Sequence, residues 1–176
     1  MAVNRSGELT APVAVQNGLC ALRWTVGNAE KYGIDTSKLV TSGYSSGGWM
    51  ALMTAMTPRT PGWDEPCPGT EEVRVAAAVS WSAETDFPDV LEGSNVKPWA
   101  AGWFQSLPNR TEIAKAMSPL TFLRAGLPPV MSIHGDADPV VPYSHSVRLH
   151  EGLKRVGVPE ELVTVTGGHG WYPRGD

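Results

Sequence analysis

From Val13 to Asn28 the residues Val13, Asn17, Cys20, Ala21, Trp24 and Asn28 recur at helical spacing. The pattern predicts a first helix over 10–32, with Thr10 as N-cap, Pro12 in the first turn and Gly33 as the stop. Four later segments, 39–44, 73–79, 130–134 and 161–165, are short, apolar and rich in β-branched residues, and read as strands. The run Val73-Arg74-Val75-Ala76-Ala77-Ala78-Val79 is nearly continuous in apolar character, which predicts a strand buried on both faces of a parallel sheet. Between the strands lie predicted helices over 46–56, 111–117 and 143–156, with a short one near 86–91 in an otherwise irregular 81–98. Residues 57–72 carry Pro58, Pro61, Pro66, Pro68, Gly62 and Gly69 and predict a loop. Strands alternating with helices imply an α/β domain: one unit over 1–176 with a mostly parallel sheet and flanking helices.

Composition narrows the class without naming it. The 176 residues are 41% hydrophobic and 18% charged, ordinary values for a globular domain with a real core. A formal net charge of −4 argues against a nucleic-acid partner. No apolar run is long enough to span a membrane. The start, Met1-Ala2-Val3-Asn4-Arg5-Ser6, lacks the apolar stretch of a secretory leader, which favours a cytoplasmic location. Cys20 falls on the apolar face of the first helix and reads as a free buried thiol. A Cys20–Cys67 disulfide is compatible with the spacing, but no cysteine framework supports it.

Candidate chemistry collects at three strand ends. Gly43-Tyr44-Ser45-Ser46-Gly47-Gly48 joins a predicted strand to a predicted helix and puts Ser45 at the apex of a sharp turn. A serine hydroxyl is a poor nucleophile until an adjacent base takes its proton. Gly43 and Gly47 flank Ser45 where a Cβ would crowd the turn, and Gly48 lets the helix approach the strand. His134-Gly135-Asp136-Ala137-Asp138 follows one later strand and Gly168-His169-Gly170 follows the next. In a doubly wound sheet, functional groups gather beyond the carboxyl ends of the strands. Ser45, an aspartate at 136 or 138, and His169 are therefore expected at one edge. His134 is expected to pack at a strand end, His145 and His150 to lie inert on a solvated helix, and Asp86 to cap a short helix. No His/Cys cluster has metal-ligand spacing, so no metal is expected.

Taken in order, these segments resemble the α/β-hydrolases, nearest to the esterases and lipases related to hormone-sensitive lipase, feruloyl-esterase-like proteins and prolyl oligopeptidase. The resemblance rests on Lys31-Tyr32-Gly33-Ile34-Asp35, the Gly43–Gly48 turn, His134 through Pro142, and Gly168-His169-Gly170, with weaker echoes at Thr85-Asp86-Phe87 and Ser118-Pro119-Leu120. It covers nearly the whole chain. It implies Ser45 as nucleophile, His169 as general base and, by the family pattern His-Gly-x-x-Asp, Asp138 as the orienting acid, leaving Asp136 as a turn residue. The Ser46 N–H is the implied oxyanion donor, and Tyr44, Trp81 and Trp171 the implied lining of the substrate pocket. The implied substrate is a small short-chain or aryl ester, with no cofactor. A prolyl-oligopeptidase-type peptidase, or an impaired fragment acting as an interaction module, is the alternative. The resemblance further implies strands and a His-Gly-Gly segment before the first helix, and a helix after the last histidine. Neither is found, so the domain is expected to be truncated at both ends, with a sheet edge that invites homo-oligomers.

Overall fold

Four parallel strands, β1 (Val40–Tyr44), β2 (Ala77–Trp81), β3 (Val130–Gly135) and β4 (Glu160–Val165), lie side by side in chain order. They come from a computed structural model, which describes residues 11–57, 67, 69, 73–104 and 109–170. The helices are α1 (Ala11–Gly27), α2 (Ala29–Tyr32), α3 (Ser46–Met56), α4 (Phe87–Leu91), α5 (Pro98–Phe104), α6 (Arg110–Ala116) and α7 (Ser144–Arg155). The expected first helix is divided at Asn28, whose side-chain amide donates to the Trp24 carbonyl, and Gly33 closes α2 at φ 65° as expected. Its expected N-cap, Thr10, lies outside the described residues, as does most of the 57–72 loop. Helix α5 had no periodic signal because seven residues barely make two turns.

Helix α3 is largely apolar and buried over most of its surface, with Ser46, Gly47 and Met50 half-buried at the groove beside α1. Its Trp49 and Met53 join Val15 and Leu19 of α1 with Phe87, Val90 and Phe104 of the α4–α5 region. Its Leu52, Ala55 and Met56 join Ala78 and Val130 of the sheet with Leu149 and Leu153 of α7. One rigid helix thus couples both halves of the core and carries Ser45 at its N-terminus. Thr54 and Thr57 satisfy their hydroxyls on carbonyls of the same helix.

The sheet is covered on one face. Thr41 bonds to the Ala51 carbonyl of α3, His134 to Ser146 of α7, and Ala78, Ser80, Val130 and Ser132 on that face are buried. The alternate rows, Ser42·Val79·Met131 and Tyr44·Trp81·Ile133, face the other way and are half-buried to exposed. The expectation that the 73–79 run is buried on both faces is therefore corrected. The strand begins at Ala77, and among the described residues no helix lies across Val79 and Trp81. Apolar composition reports what a strand can bury, whereas the covering element is set by topology. Among the described residues, strand β1 is also a sheet edge, with Val40 54% exposed.

A second correction concerns the cysteines. Cys20 and Cys67 form a disulfide, so the reading of Cys20 as a free thiol does not hold. Helical spacing shows which face Cys20 occupies and is silent about what the loop brings to that face.

Candidate active site

The turn after β1 holds Ser45 at φ 55°, ψ −124°, a conformation that L-residues rarely occupy. The surroundings fix it: Ser45 N–H donates to the Trp81 carbonyl at 2.8 Å, and its carbonyl accepts from Trp49 N–H at 3.0 Å. A Cβ on Gly43 would collide with the Gly47 carbonyl, and one on Gly48 would sit 2.9 Å from the Trp81 carbonyl oxygen. Gly47 behaves otherwise: a Cβ there meets no atom within 4 Å, because it faces the groove between α1 and β1. Only Gly43 and Gly48 are required by space. Gly43→Ala is accordingly expected to destabilise the chain by about 3 kcal/mol, the upper end for overpacking. Gly47→Ala should be neutral or stabilising by under about 1 kcal/mol. Urea unfolding of both variants tests this, and equal midpoints would refute it.

Ser45, His169 and Asp138 meet although they are distant in sequence. Ser45 Oγ lies 2.9 Å from His169 Nε2, and His169 Nδ1 lies 2.8 Å from Asp138 Oδ2. The imidazole, 14% exposed, carries its hydrogen on Nδ1 toward the carboxylate and presents Nε2 to the serine hydroxyl. The Asp138 side chain is fully buried. Burial opposes its charge. Hydrogen bonds from His134, His169 and the N–H groups of Val141 and Val140 outweigh burial and hold the carboxyl well below the usual carboxylate range. Asp136 takes the other place: its Oδ1 accepts from Gly167 N–H at 3.1 Å, tying the acid's loop to the histidine's loop.

His134 was expected merely to pack at a strand end. It is fully buried, and its Nε2 lies 3.1 Å from both Asp138 Oδ2 and the Val141 carbonyl, so its hydrogen sits on Nε2. Ser146 Oγ approaches Nδ1 at 2.7 Å. One carboxylate oxygen thus accepts from two histidines. The expectation of a solvated setting for His145 and His150 is also corrected, since both are buried. His145 accepts from Thr85 N–H and donates to Asp89, and burial next to Arg148 pushes it down to about 4. His150 pairs with Glu160 at 2.7 Å, and burial lowers it too. The residues of α7 that looked polar in sequence bind the sheet and α4 to the helix. Asp86 caps α4 as expected and also takes Arg148 at 2.6 Å.

The first N–H groups of α3, Ser46 among them, have no intrahelical acceptor and lie beside the serine. Tyr44 lies against the His169 ring, centroids 5.0 Å apart, and with Trp81 and Val165 it lines a cleft of about 230 Å³. Trp171 lies outside the described residues. Among the described residues no group of three His, Cys, Asp or Glu is placed to hold a metal ion. Sequence reasoning missed Glu84, which is 3% exposed in the turn after β2 and had no periodic or motif signal.

An alcohol, an imidazole and a carboxylate in series, beyond the carboxyl ends of the parallel strands β1, β3 and β4 in the chain order Ser, Asp, His, define an α/β-hydrolase. The BD-FAE family profile matches residues 3–153, and the chain belongs to that family. A truncated carbohydrate esterase from gut microbiota superposes with TM-score 0.81 at 28% identity, covering 93% of this chain and 64% of that one. The thermophilic esterase of Thermogutta terrifontis, solved with propionate, gives TM-score 0.74 at 29% identity over 95% of this chain and 60% of its own. The probable carboxylic ester hydrolase LipM of Mycobacterium tuberculosis is 28% identical over 142 residues, 77% of this chain. The chain spans about a third, 32%, of LipM.

Proposed function

We propose that this chain is a serine carboxylic ester hydrolase working through an acyl-Ser45 intermediate. The observation that carries the reading is the unbroken series from Ser45 Oγ through His169 to Asp138, with links of 2.9 and 2.8 Å. His169 Nε2 takes the Ser45 proton as Oγ attacks the ester carbonyl, and Asp138 stabilises the imidazolium. The Ser46 N–H, at the positive end of α3, steadies the oxyanion. His169 returns the proton to the departing alcohol, and water then releases the acid by the same steps.

Short-chain acyl or aryl esters are the proposed substrates. The Thermogutta esterase is solved with propionate and with butyrate, and the Tyr44–Trp81 cleft of this chain, about 230 Å³, has room for a short acyl chain. The test is turnover of p-nitrophenyl acetate against a proline p-nitroanilide, with fluorophosphonate labelling of Ser45. Phosphorylation of the Thermogutta enzyme by paraoxon makes an organophosphate the apt probe. Hydrolysis of the anilide in preference to the ester would move the chain to the peptidases.

The β1 edge supports a second expectation, self-association. Sedimentation velocity over a concentration series should show a growing complex that Val40→Lys suppresses; a monomer at every concentration would count against it. The disulfide favours an oxidising compartment over the cytoplasmic one expected from the N-terminal residues. Among the described residues no helix is long and apolar enough to cross a membrane.

A further inference from the structure

A second acid, Glu84, is buried just past the end of β2, the strand beside the one that leads to Asp138. The β2 and β3 strands end in register, Trp81 opposite Ile133, and Ser82 N–H continues the ladder onto the Ile133 carbonyl at 2.9 Å. The chain then turns at Ser82, φ 46°, and Thr85 N–H donates to His145 Nδ1 at 3.1 Å, so Glu84 lies between two residues bonded to the β3–α7 segment that carries Asp138. Glu84 is 3% exposed, and its Oε2 has no hydrogen-bond partner among the described residues. A buried carboxyl oxygen left without a partner is costly. Asp138 is the charge that acts on it.

We propose that Glu84 is a positioning residue of the Ser45–His169–Asp138 series, adding a second negative charge behind the imidazole when it ionises. This rests on the esterase reading for its catalytic consequence. Burial, with Asp138's charge adding and its own backbone N–H opposing, pushes the Glu84 carboxyl up to about 7. Below that pH the group is neutral. Above it the proton leaves to solvent, and the carboxylate strengthens the field that Asp138 already imposes on His169. The proton that Ser45 yields to His169 Nε2 is then better held in the transition state. The other titratable groups around it are accounted for. His134 and His169 are both bound to Asp138. His145 faces Thr85 and pairs with Asp89, which in turn holds Arg148.

The experiment compares the full 176-residue chain with Glu84→Gln and Glu84→Asp on p-nitrophenyl acetate between pH 5.5 and 8.5. The ratio of wild-type to Glu84→Gln kcat should be near one at pH 5.5 and rise to about threefold to tenfold at pH 8.5, with KM unchanged. Glu84→Asp should restore part of that rise. A ratio that is the same at both pH values marks a structural role and overturns the proposal. Imidazole ¹⁵N spectra give a readout independent of turnover. The His169 signals should titrate in two steps in the wild type and in one step in Glu84→Gln. A single step in the wild type overturns the proposal, whether or not the glutamine variant folds. A chain that neither labels nor turns over defeats the esterase reading, and the imidazole titration still decides the role of Glu84.

Discussion

Ser45→Ala is expected to abolish ester turnover, lowering kcat by about a million-fold, the scale of loss when a triad serine is removed. The reason is geometric. Ser45 Oγ lies 2.9 Å from His169 Nε2, and its hydroxyl donates to that nitrogen. Residual hydrolysis, on the order of a thousand-fold over water, would come from the Ser46 N–H and binding alone. Fluorophosphonate labelling should vanish with it. The variant should fold normally, because the side chain contributes a single hydrogen bond while the strained turn is held by backbone bonds to Trp81 and Trp49. Circular dichroism and thermal melting check this. A wild-type chain that labels no better than Ser45→Ala would end the esterase reading for these residues.

Removing the Cys20–Cys67 bridge is the second large effect. The cysteines are 47 residues apart, and closing a loop of that length in the unfolded chain is worth about 4 kcal/mol on the chain-entropy account. For a chain of this size, that shifts Tm by roughly 8–16 °C. The effect should also reach the site. Helix α1 packs through Val15 and Leu19 on Trp49 of α3, the helix that carries Ser45 at its start. Loosening α1 exposes the core beside Ser45. The comparison is calorimetry of the oxidised chain, the reduced chain and Cys20→Ser with Cys67→Ser. Coincident transitions would show that the bridge adds nothing to stability.

Much of the site was legible because its signals are local. The Gly43–Gly48 turn requires close backbone approach within a few residues, and Gly43 and Gly48 meet their partners there. The assignment of Gly47 to the same role was wrong because its neighbour is a groove, a feature no five-residue window contains. Choosing Asp138 over Asp136 needed the family pattern. The structure gives the physical basis: Asp138 receives two backbone N–H groups and two imidazoles, while Asp136 bridges to Gly167. The polar residues of α7 misled, since His145 and His150 look solvent-facing until Asp89 and Glu160 arrive from elsewhere to satisfy them.

The sequence by itself determined the alternation of strands and helices, the parallel sheet and the sharp Gly43–Gly48 turn, and with the family pattern the order Ser45, Asp138, His169. The first three follow from periodicity or from backbone demands between near neighbours. Tertiary structure alone decided the bridge from Cys20 to Cys67, the open face of the sheet, the second histidine on Asp138 and the burial of Glu84. Those depend on which distant segments come to lie side by side, and neither hydrophobic spacing nor local propensity carries that information.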